Sequence, residues 1–115
     1  MRRGDIRIVN LERAVGSQLD KQRPCVVVSN DRVNEYASLT DRGVITVVPM
    51  TSNVENVRPF QVFMAAAATG LSRDSKASSE QIIAVAVERV GPHAGRVPRA
   101  LMAELDDALR LHLAL

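Results

Sequence analysis

The sequence predicts a mainly β fold: a small, partly open barrel with one C-terminal helix packed on it. Three observations favour this class. Short apolar runs recur between residues 6 and 87, polar or glycine-containing segments separate them, and the one long amphipathic stripe lies at the end of the chain. With 115 residues, 46% of them hydrophobic, the chain is expected to form a single domain, residues 1–115, around a real core.

The strands are predicted from apolar, largely β-branched runs. Five are expected, at residues 6–11, 25–29, 44–48, 60–64 and 82–87. The fifth strand is expected to be well buried and to extend at its start over residues 76–81. The segment Gly91–Gly95 is expected to break the chain after it, because two glycines flank Pro92.

Helical segments are fewer. Asn30-Asp31 is expected to cap a short helical turn over residues 31–38. The run Ala65–Thr69 is ambiguous, since alanine favours a helix but the run is short. The clearest helix begins at Pro98, a residue type suited to a first helical position. Its apolar stripe comprises Leu101, Leu105, Ala108, Leu109 and His112, with Met102 and Leu113 beside it.

Several functional classes are disfavoured by what the sequence lacks. Cys25 is the sole cysteine, so no internal disulfide can form, and its place in a valine run predicts a buried, inert thiol. No Cys/His spacing typical of a metal site occurs, so no metal or other cofactor is expected. The start of the chain has no apolar leader segment, and no run reaches membrane-spanning length. The protein is therefore expected to be cytoplasmic.

The charge balance is mildly basic. The net charge is +2, and only Lys21 and Lys76 are lysines among 15 cations. An excess of arginine is typical of phosphate binding, because the guanidinium fork matches phosphate oxygens, but a GC-rich genome gives the same bias.

The candidate site lies where two predicted strands meet polar residues. Arg23 stands at the mouth of the strand that begins at Cys25, and Thr51-Ser52 follow the third strand. A fixed cation and two hydroxyls at neighbouring strand ends are expected to converge on one phosphodiester. In isolation, the same residues also read as a surface cation and ordinary turn hydroxyls. Residues 12–22 read as a long polar loop, expected to be poorly ordered until a partner binds.

Five motifs in order carry a family resemblance: Arg3-Gly4-Asp5-Ile6, Gly16-Ser17, Gln22-Arg23-Pro24, Pro49-Met50-Thr51-Ser52 and Glu80-Gln81-Ile82. Together they resemble the MazF/PemK toxins of bacterial toxin–antitoxin pairs. The implied fold is an SH3-like small barrel with a C-terminal helix, as in the MazF, Kid and CcdB toxins, usually as a homodimer. The implied activity is metal-independent, sequence-selective cleavage of single-stranded RNA. In it the 2′-hydroxyl attacks its own phosphate, and a MazE-like antitoxin blocks the groove.

The resemblance also implies residue roles. Arg23 and Thr51 match the catalytic pair, and Glu80 matches an acidic residue proposed as the base. Further RNA-binding residues are expected at Ser17, Gln18, Lys21, Pro24, Ser52, Lys76 and Gln81. The chain departs from the family pattern at Arg7, where an aromatic residue is usual, and at Gln18, where glutamate is common.

Two other functions stay open at this stage. CcdB-type toxins share the barrel and poison gyrase through an aromatic-bearing C-terminal tail, whereas this chain ends Leu111–Leu115 without tryptophan. A non-catalytic barrel that binds RNA or a peptide is the other alternative. Bases would be read by polar groups, with Phe60 or Tyr36 available for stacking.

Overall fold

The computed structural model describes residues 1–11 and 22–115. Within them the chain forms seven strands, three α-helices and two 3₁₀ turns. The strands are β1 (Asp5–Asn10), β2 (Gln22–Val27), β3 (Val44–Thr51), β4 (Gln61–Met64), β5 (Ser75–Ser78), β6 (Ile83–Ala86) and β7 (Val90–Arg96). The helices are α1 (Asp31–Thr40), α2 (Ala66–Thr69) and α3 (Arg99–Leu113), and the 3₁₀ turns are Ser79–Gln81 and Val87–Arg89.

All the strands pair antiparallel in a strongly bent sheet. Its order is β4-β5-β3-β2-β1-β7, and β6 pairs separately with β3. β3 pairs with two of the later strands through different residues. Its first half pairs with β6, and its last two residues pair with β5. The sheet is barrel-like but not closed.

The core lies on both faces of β2 and β3, which explains why these strands are apolar runs rather than alternating patterns. Val26, Val48 and Leu105 belong to the cluster beneath α3. Cys25, Val47 and Ala37 belong to the cluster beneath α1. Successive residues of one strand therefore enter different clusters, as the period of two in a strand requires.

The first four predicted strands and the predicted α1 are confirmed, with ends that differ by a few residues. Asn30 caps α1, since its Oδ1 accepts a hydrogen bond from Val33 N at 2.9 Å. The ambiguous alanine run forms the short helix α2. Pro98 lies immediately before α3, and its carbonyl accepts from Met102 N at 2.9 Å.

The predicted fifth strand is wrong as one continuous, well-buried element. The 3₁₀ turn Ser79–Gln81 divides it into β5 and β6, which pair with different halves of β3. Because β3 passes from one part of the bent sheet to another, a straight partner could not follow it. Val85 is the buried residue of β6, and Ile83 is 40% exposed.

The expected break at residues 91–95 is also wrong, since these residues form β7 against β1. The pairing shifts register twice there, which accommodates Pro92. The glycines permit close backbone approach: a Cβ on Gly95 would lie 2.4 Å from the Thr69 carbonyl oxygen. The glycines therefore mark irregular pairing rather than a loop.

The helix α3 buries only part of its predicted stripe. Leu105, Ala108 and Leu109 are buried, whereas His112 and Leu113 are exposed. His112, which the predicted stripe includes as a packing residue, lies at the surface, where its ring packs against Phe60 with the ring centroids 6.4 Å apart. Among the described helices, none is long and apolar enough to cross a bilayer.

Candidate active site

The site forms where the start of β2 and the end of β3 reach the same edge of the sheet. These strands are antiparallel, with Cys25 opposite Pro49. Arg23 lies two residues before Cys25, and Thr51 lies two residues after Pro49. The two residues therefore occupy neighbouring positions at this edge. β5 completes the edge, because it places Lys76 opposite Thr51.

Two cavities open on either side of these residues. The larger, about 560 Å³, is lined by Leu71, Arg73 and Pro24 among others, and we call it the Leu71 cavity. The smaller, about 270 Å³, is lined by Glu80, Gln81 and Lys76 among others, and we call it the Glu80 cavity. Arg23, Met50 and Thr51 line both cavities, so they form the wall between them.

The Arg23 guanidinium is available to an anion at this wall. Arg23 is partly exposed, and within residues 1–11 and 22–115 no carboxylate forms an ion pair with it. A guanidinium presents planar N–H donors and remains charged at any working pH. The side chain is therefore suited to bind and stabilise a phosphate rather than to exchange protons.

Glu80 lies on the 3₁₀ turn that divides β5 from β6. One carboxylate oxygen, Oε2, accepts a hydrogen bond from Gln61 Nε2 at 2.9 Å. The other oxygen, Oε1, is buried and has no hydrogen-bond partner among residues 1–11 and 22–115. A buried acceptor without a partner is costly, so Glu80 is held at this cavity at a cost in stability that a structural role alone does not explain.

Three other polar side chains of the Glu80 cavity form hydrogen bonds with the backbone. Thr51 Oγ1 accepts from Asn53 N at 3.2 Å, which orients the hydroxyl. Lys76 Nζ donates to the Glu55 carbonyl at 2.8 Å and so ties β5 to the loop after β3. Gln61 Oε1 accepts from Arg58 N at 3.0 Å while its amide holds Glu80.

A third cavity, about 400 Å³, continues from the Glu80 cavity past Phe60, and we call it the Phe60 cavity. The three cavities form a groove whose neighbouring members share walls. Of the described lining residues, four are cationic and two are carboxylates: Arg23, Arg58, Arg73 and Lys76 against Glu55 and Glu80. An extended groove with excess positive charge suits a single-stranded polyanion.

The predicted site residues are mostly brought together. Arg23, Thr51 and Glu80 line the Glu80 cavity, and so do Lys76 and Gln81. Pro24 and Ser52 line the Leu71 cavity instead. Ser17, Gln18 and Lys21, and most of the predicted 12–22 loop, lie outside the described residues.

Other singled-out residues lie elsewhere. Tyr36 is exposed on α1 and lines none of the three cavities, whereas Phe60 lines the third. Arg7 donates from Nε to the Gly91 carbonyl at 2.8 Å, so the departure from an aromatic residue supports the pairing of β1 with β7. His93 is exposed on β7 and lines none of the three cavities.

Sequence reasoning missed Leu71, Arg73 and Gln61. The first two lie in a segment that reads only as a turn, and Gln61 is a single polar residue in an apolar strand. Arg73 offered one signal, a cation after a glycine turn, but nothing local connects it with Arg23.

The Cys25 thiol is buried, as the sequence predicts. Burial raises its pKa from 9.0 to about 12, and the nearby charge of Arg23 only partly offsets this. Sγ lies 3.6 Å from the Arg23 carbonyl oxygen, to which it donates. At neutral pH the thiol is protonated and is unsuited to act as a nucleophile.

We predict that the Cys25 thiol weakens the fold only at alkaline pH. Above about pH 9 the unfolded chain releases the thiol proton while the native protein retains it, so stability falls as the pH rises further. Urea unfolding at about pH 8 and about pH 10 measures this, with Cys25→Ala as a control that lacks the proton. An equal pH-dependent loss in both proteins would contradict the prediction.

Comparisons with known proteins agree along the whole chain. A family model described as PemK-like, MazF-like toxin of type II toxin-antitoxin system matches residues 2–113. Endoribonuclease MazF9 of Mycobacterium tuberculosis H37Rv is 56% identical over 115 residues, which cover 100% of this chain and 98% of the relative. Endoribonuclease EndoA of Bacillus subtilis 168 is 28% identical over 116 residues, covering 100% and 96%.

Solved structures share the fold. The Mycobacterium tuberculosis toxin MazF-mt6 superposes with a TM-score of 0.76 at 23% identity, covering 96% of this chain and 97% of that one. An endoribonuclease in complex with its cognate antitoxin, from mycobacterial species, gives 0.77 at 21% identity, covering 100% and 96%. The predicted mainly β barrel with a C-terminal helix is thereby confirmed.

Proposed function

The chain belongs to the PemK-like, MazF-like toxin family of type II toxin–antitoxin systems and is an endoribonuclease of that family, and from this premise we propose how it cleaves RNA. The substrate is single-stranded, cut at selected sequences and without a metal ion. The 2′-hydroxyl attacks the adjacent phosphorus, and the products carry a 2′,3′-cyclic phosphate and a free 5′-hydroxyl.

Bond changes define what the protein must supply. A bond forms between the 2′-oxygen and phosphorus, and the bond from phosphorus to the 5′-oxygen breaks. The 2′-hydroxyl loses a proton, negative charge accumulates on the phosphate oxygens, and the leaving 5′-oxygen gains a proton. No external nucleophile is required, because the attacking oxygen is already attached to the substrate.

The wall between the cavities supplies the charge stabilisation. Arg23 places N–H donors on the non-bridging oxygens as the pentavalent phosphorane forms. Thr51 donates its hydroxyl to the same phosphate and fixes its position. An oriented cation at this wall stabilises the negative charge on the phosphate, as a metal ion does in other nucleases. We therefore propose a metal-independent reaction.

Glu80 is the candidate base. Glu80 lines the same cavity as Arg23 and Thr51, its Oε1 has no hydrogen-bond partner among the described residues, and Gln61 holds the other oxygen in place. A carboxylate so placed can accept the 2′-proton through one oxygen while the second remains anchored. Lys76 and Gln81 complete the Glu80 cavity, where they contact the substrate backbone and its base edges.

The observation that carries this proposal is the shared wall. Arg23 and Thr51 line the same two cavities in the middle of a groove with more cations than carboxylates. A phosphate at this wall would have a guanidinium, a hydroxyl and a carboxylate within one small volume. The guanidinium stabilises the developing charge, the hydroxyl positions the phosphate and the carboxylate accepts the 2′-proton, while the leaving 5′-oxygen takes its proton from solvent water.

The test is cleavage of a long single-stranded RNA by the purified protein in excess EDTA. We expect cuts at a limited set of sequences, with 5′-hydroxyl ends and cyclic phosphates. Enzymatic phosphorylation of the 5′ ends and mass spectrometry of the products identify both groups. Loss of cleavage in EDTA that added magnesium restores would refute metal independence, and 5′-phosphate ends would refute the 2′-attack.

We further propose that the active form is a homodimer neutralised by an antitoxin. One solved structure with this fold is an endoribonuclease with its cognate antitoxin. A segment with acidic residues would complement Arg23, Arg73 and Lys76 in the groove and fold as it binds. Light scattering should give twice the chain mass, and an antitoxin encoded beside this gene should abolish cleavage at stoichiometric amounts. A monomer of full activity would contradict the first part.

A further inference from the structure

The Leu71 cavity has no role in the reaction described above, although it is larger than the Glu80 cavity on the other side of the wall. It lies across Arg23 and Thr51 from Glu80. A phosphodiester joins two nucleotides, so a phosphate held at the wall directs one of them toward each cavity. In single-stranded RNA the bases can separate in this way, because they are not held in a duplex.

The position of Glu80 determines which nucleotide faces which cavity, provided that the proposed function holds. The 2′-hydroxyl belongs to the nucleotide before the cleaved bond, and Glu80 takes its proton. That nucleotide must therefore face the Glu80 cavity. We propose that the Leu71 cavity binds the base of the nucleotide that follows the cleaved bond.

The Leu71 cavity has the shape and chemistry for a base. Its volume of about 560 Å³ accommodates a nucleotide. Ile8, Pro24 and Leu71 supply aliphatic surface for the faces of the ring. At the ring edge, the hydroxyls of Ser52 and Ser72 can donate and accept hydrogen bonds, and that of Ser75, which donates to the Arg73 carbonyl at 3.3 Å, can accept one.

Charge favours a nucleotide over an uncharged ligand. Arg23 and Arg73 both line the Leu71 cavity, and among the described lining residues there is no carboxylate. With Arg23 at the cleaved phosphate, Arg73 is placed to bind the next phosphate toward the 3′ end. The base between these two phosphates then occupies the cavity between the two arginines.

The experiment measures binding of an oligoribonucleotide made uncleavable by 2′-deoxyribose before the scissile phosphate. Two versions lack a base, either just after or just before that phosphate, and each is titrated against the wild type, Leu71→Trp and Leu39→Trp. Leu71→Trp fills the cavity, whereas Leu39 is 79% exposed on α1, so its variant is the matched control.

Removal of the following base should weaken binding to the wild type and to Leu39→Trp by about fivefold or more. Leu71→Trp should bind the intact RNA more weakly and lose little more when that base is absent. Removal of the preceding base should affect all three proteins equally. Equal losses in all three proteins when the following base is removed would overturn the proposal.

Arg73→Ala provides a second measurement that does not fill the cavity, with Arg42→Ala as its control on an exposed turn. Arg73→Ala should lower the salt dependence of RNA binding by about one released ion, whereas Arg42→Ala should not. An unchanged salt dependence would count against the assigned phosphate contact. If Leu71→Trp weakens binding of the antitoxin but not of RNA, the cavity binds a peptide and the proposal is wrong.

The two proposals fail in different ways. If the wild type cleaves no RNA, the proposed function is wrong. If the wild type cleaves with cyclic-phosphate ends but ignores the following base, only the role of the Leu71 cavity is wrong.

Discussion

A substrate with 2′-deoxyribose at the nucleotide before the cleaved bond is expected to remain intact in the presence of this protein. The substitution removes one oxygen atom, which is the attacking nucleophile of the proposed reaction. No side chain can replace it, because the described residues of the groove serve to bind the phosphate and to move protons. The expected effect is therefore complete loss of cleavage at that bond.

The measurement compares oligoribonucleotides that carry a single deoxyribose at successive positions around one mapped cleavage site. Only the substitution immediately before the scissile phosphate should block the reaction. The blocked oligonucleotide should still compete with an intact substrate, because the phosphate contacts that dominate binding are unchanged. Cleavage at the deoxy position at a normal rate would show that a water molecule, not the ribose, attacks the phosphorus.

Replacing Arg23 by alanine is expected to lower kcat by about 10²–10³ or more, with a smaller effect on KM. Loss of one oriented donor to a developing negative charge typically has this magnitude. In the proposed mechanism the guanidinium binds the phosphate in the ground state as well, but the charge on the non-bridging oxygens increases in the transition state. The rate should therefore fall more than the affinity.

Arg23→Lys distinguishes charge from geometry. Lysine retains the positive charge but lacks the planar fork, so we expect it to restore only part of the activity. Arg42→Ala, a substitution of an exposed arginine between α1 and β3, should leave the rate unchanged. Circular dichroism and urea unfolding verify that both variants are folded. An Arg23→Ala protein with wild-type kcat would remove Arg23 from the mechanism.

Thr51 and Glu80 contribute in ways that the same kinetics can separate. In the proposed mechanism Thr51 positions the phosphate, and its hydroxyl accepts a hydrogen bond from Asn53 N at 3.2 Å. Glu80 is the proposed proton acceptor, and Gln61 Nε2 donates to its Oε2 at 2.9 Å. The arrangement therefore divides the reaction among three strands and one 3₁₀ turn that are remote in the sequence.

The sequence alone sufficed where local chemistry determines structure. The valine runs of β2 and β3, the Asn30 cap and the stripe of α3 follow from residue type and period, so each could be placed within a few residues. The sequence also indicated Arg23 and Thr51 as candidate site residues, because each lies at one end of an apolar run. The order of the five family motifs then predicted the family that the comparisons show.

Other elements depended on pairing between distant residues. The division of residues 76–87 into β5 and β6 follows from the change of partner along β3, which no local pattern records. The strand β7 forms at glycines and a proline because its backbone approaches that of β1 and α2, and glycine is compatible with such contact. From the local sequence alone, the same residues predict an interruption of the strand structure.

The amino-acid sequence by itself determined the fold class, the buried thiol of Cys25 and the identity of the residues that offer chemistry. Only the tertiary structure decided that Arg23 and Thr51 form a wall between two cavities, and that Glu80 faces one of them while Leu71 faces the other. The physical reason is that the two kinds of information act over different separations along the chain. Side-chain periodicity acts over a few residues, whereas the groove forms between strands whose antiparallel pairing joins residues up to tens of positions apart.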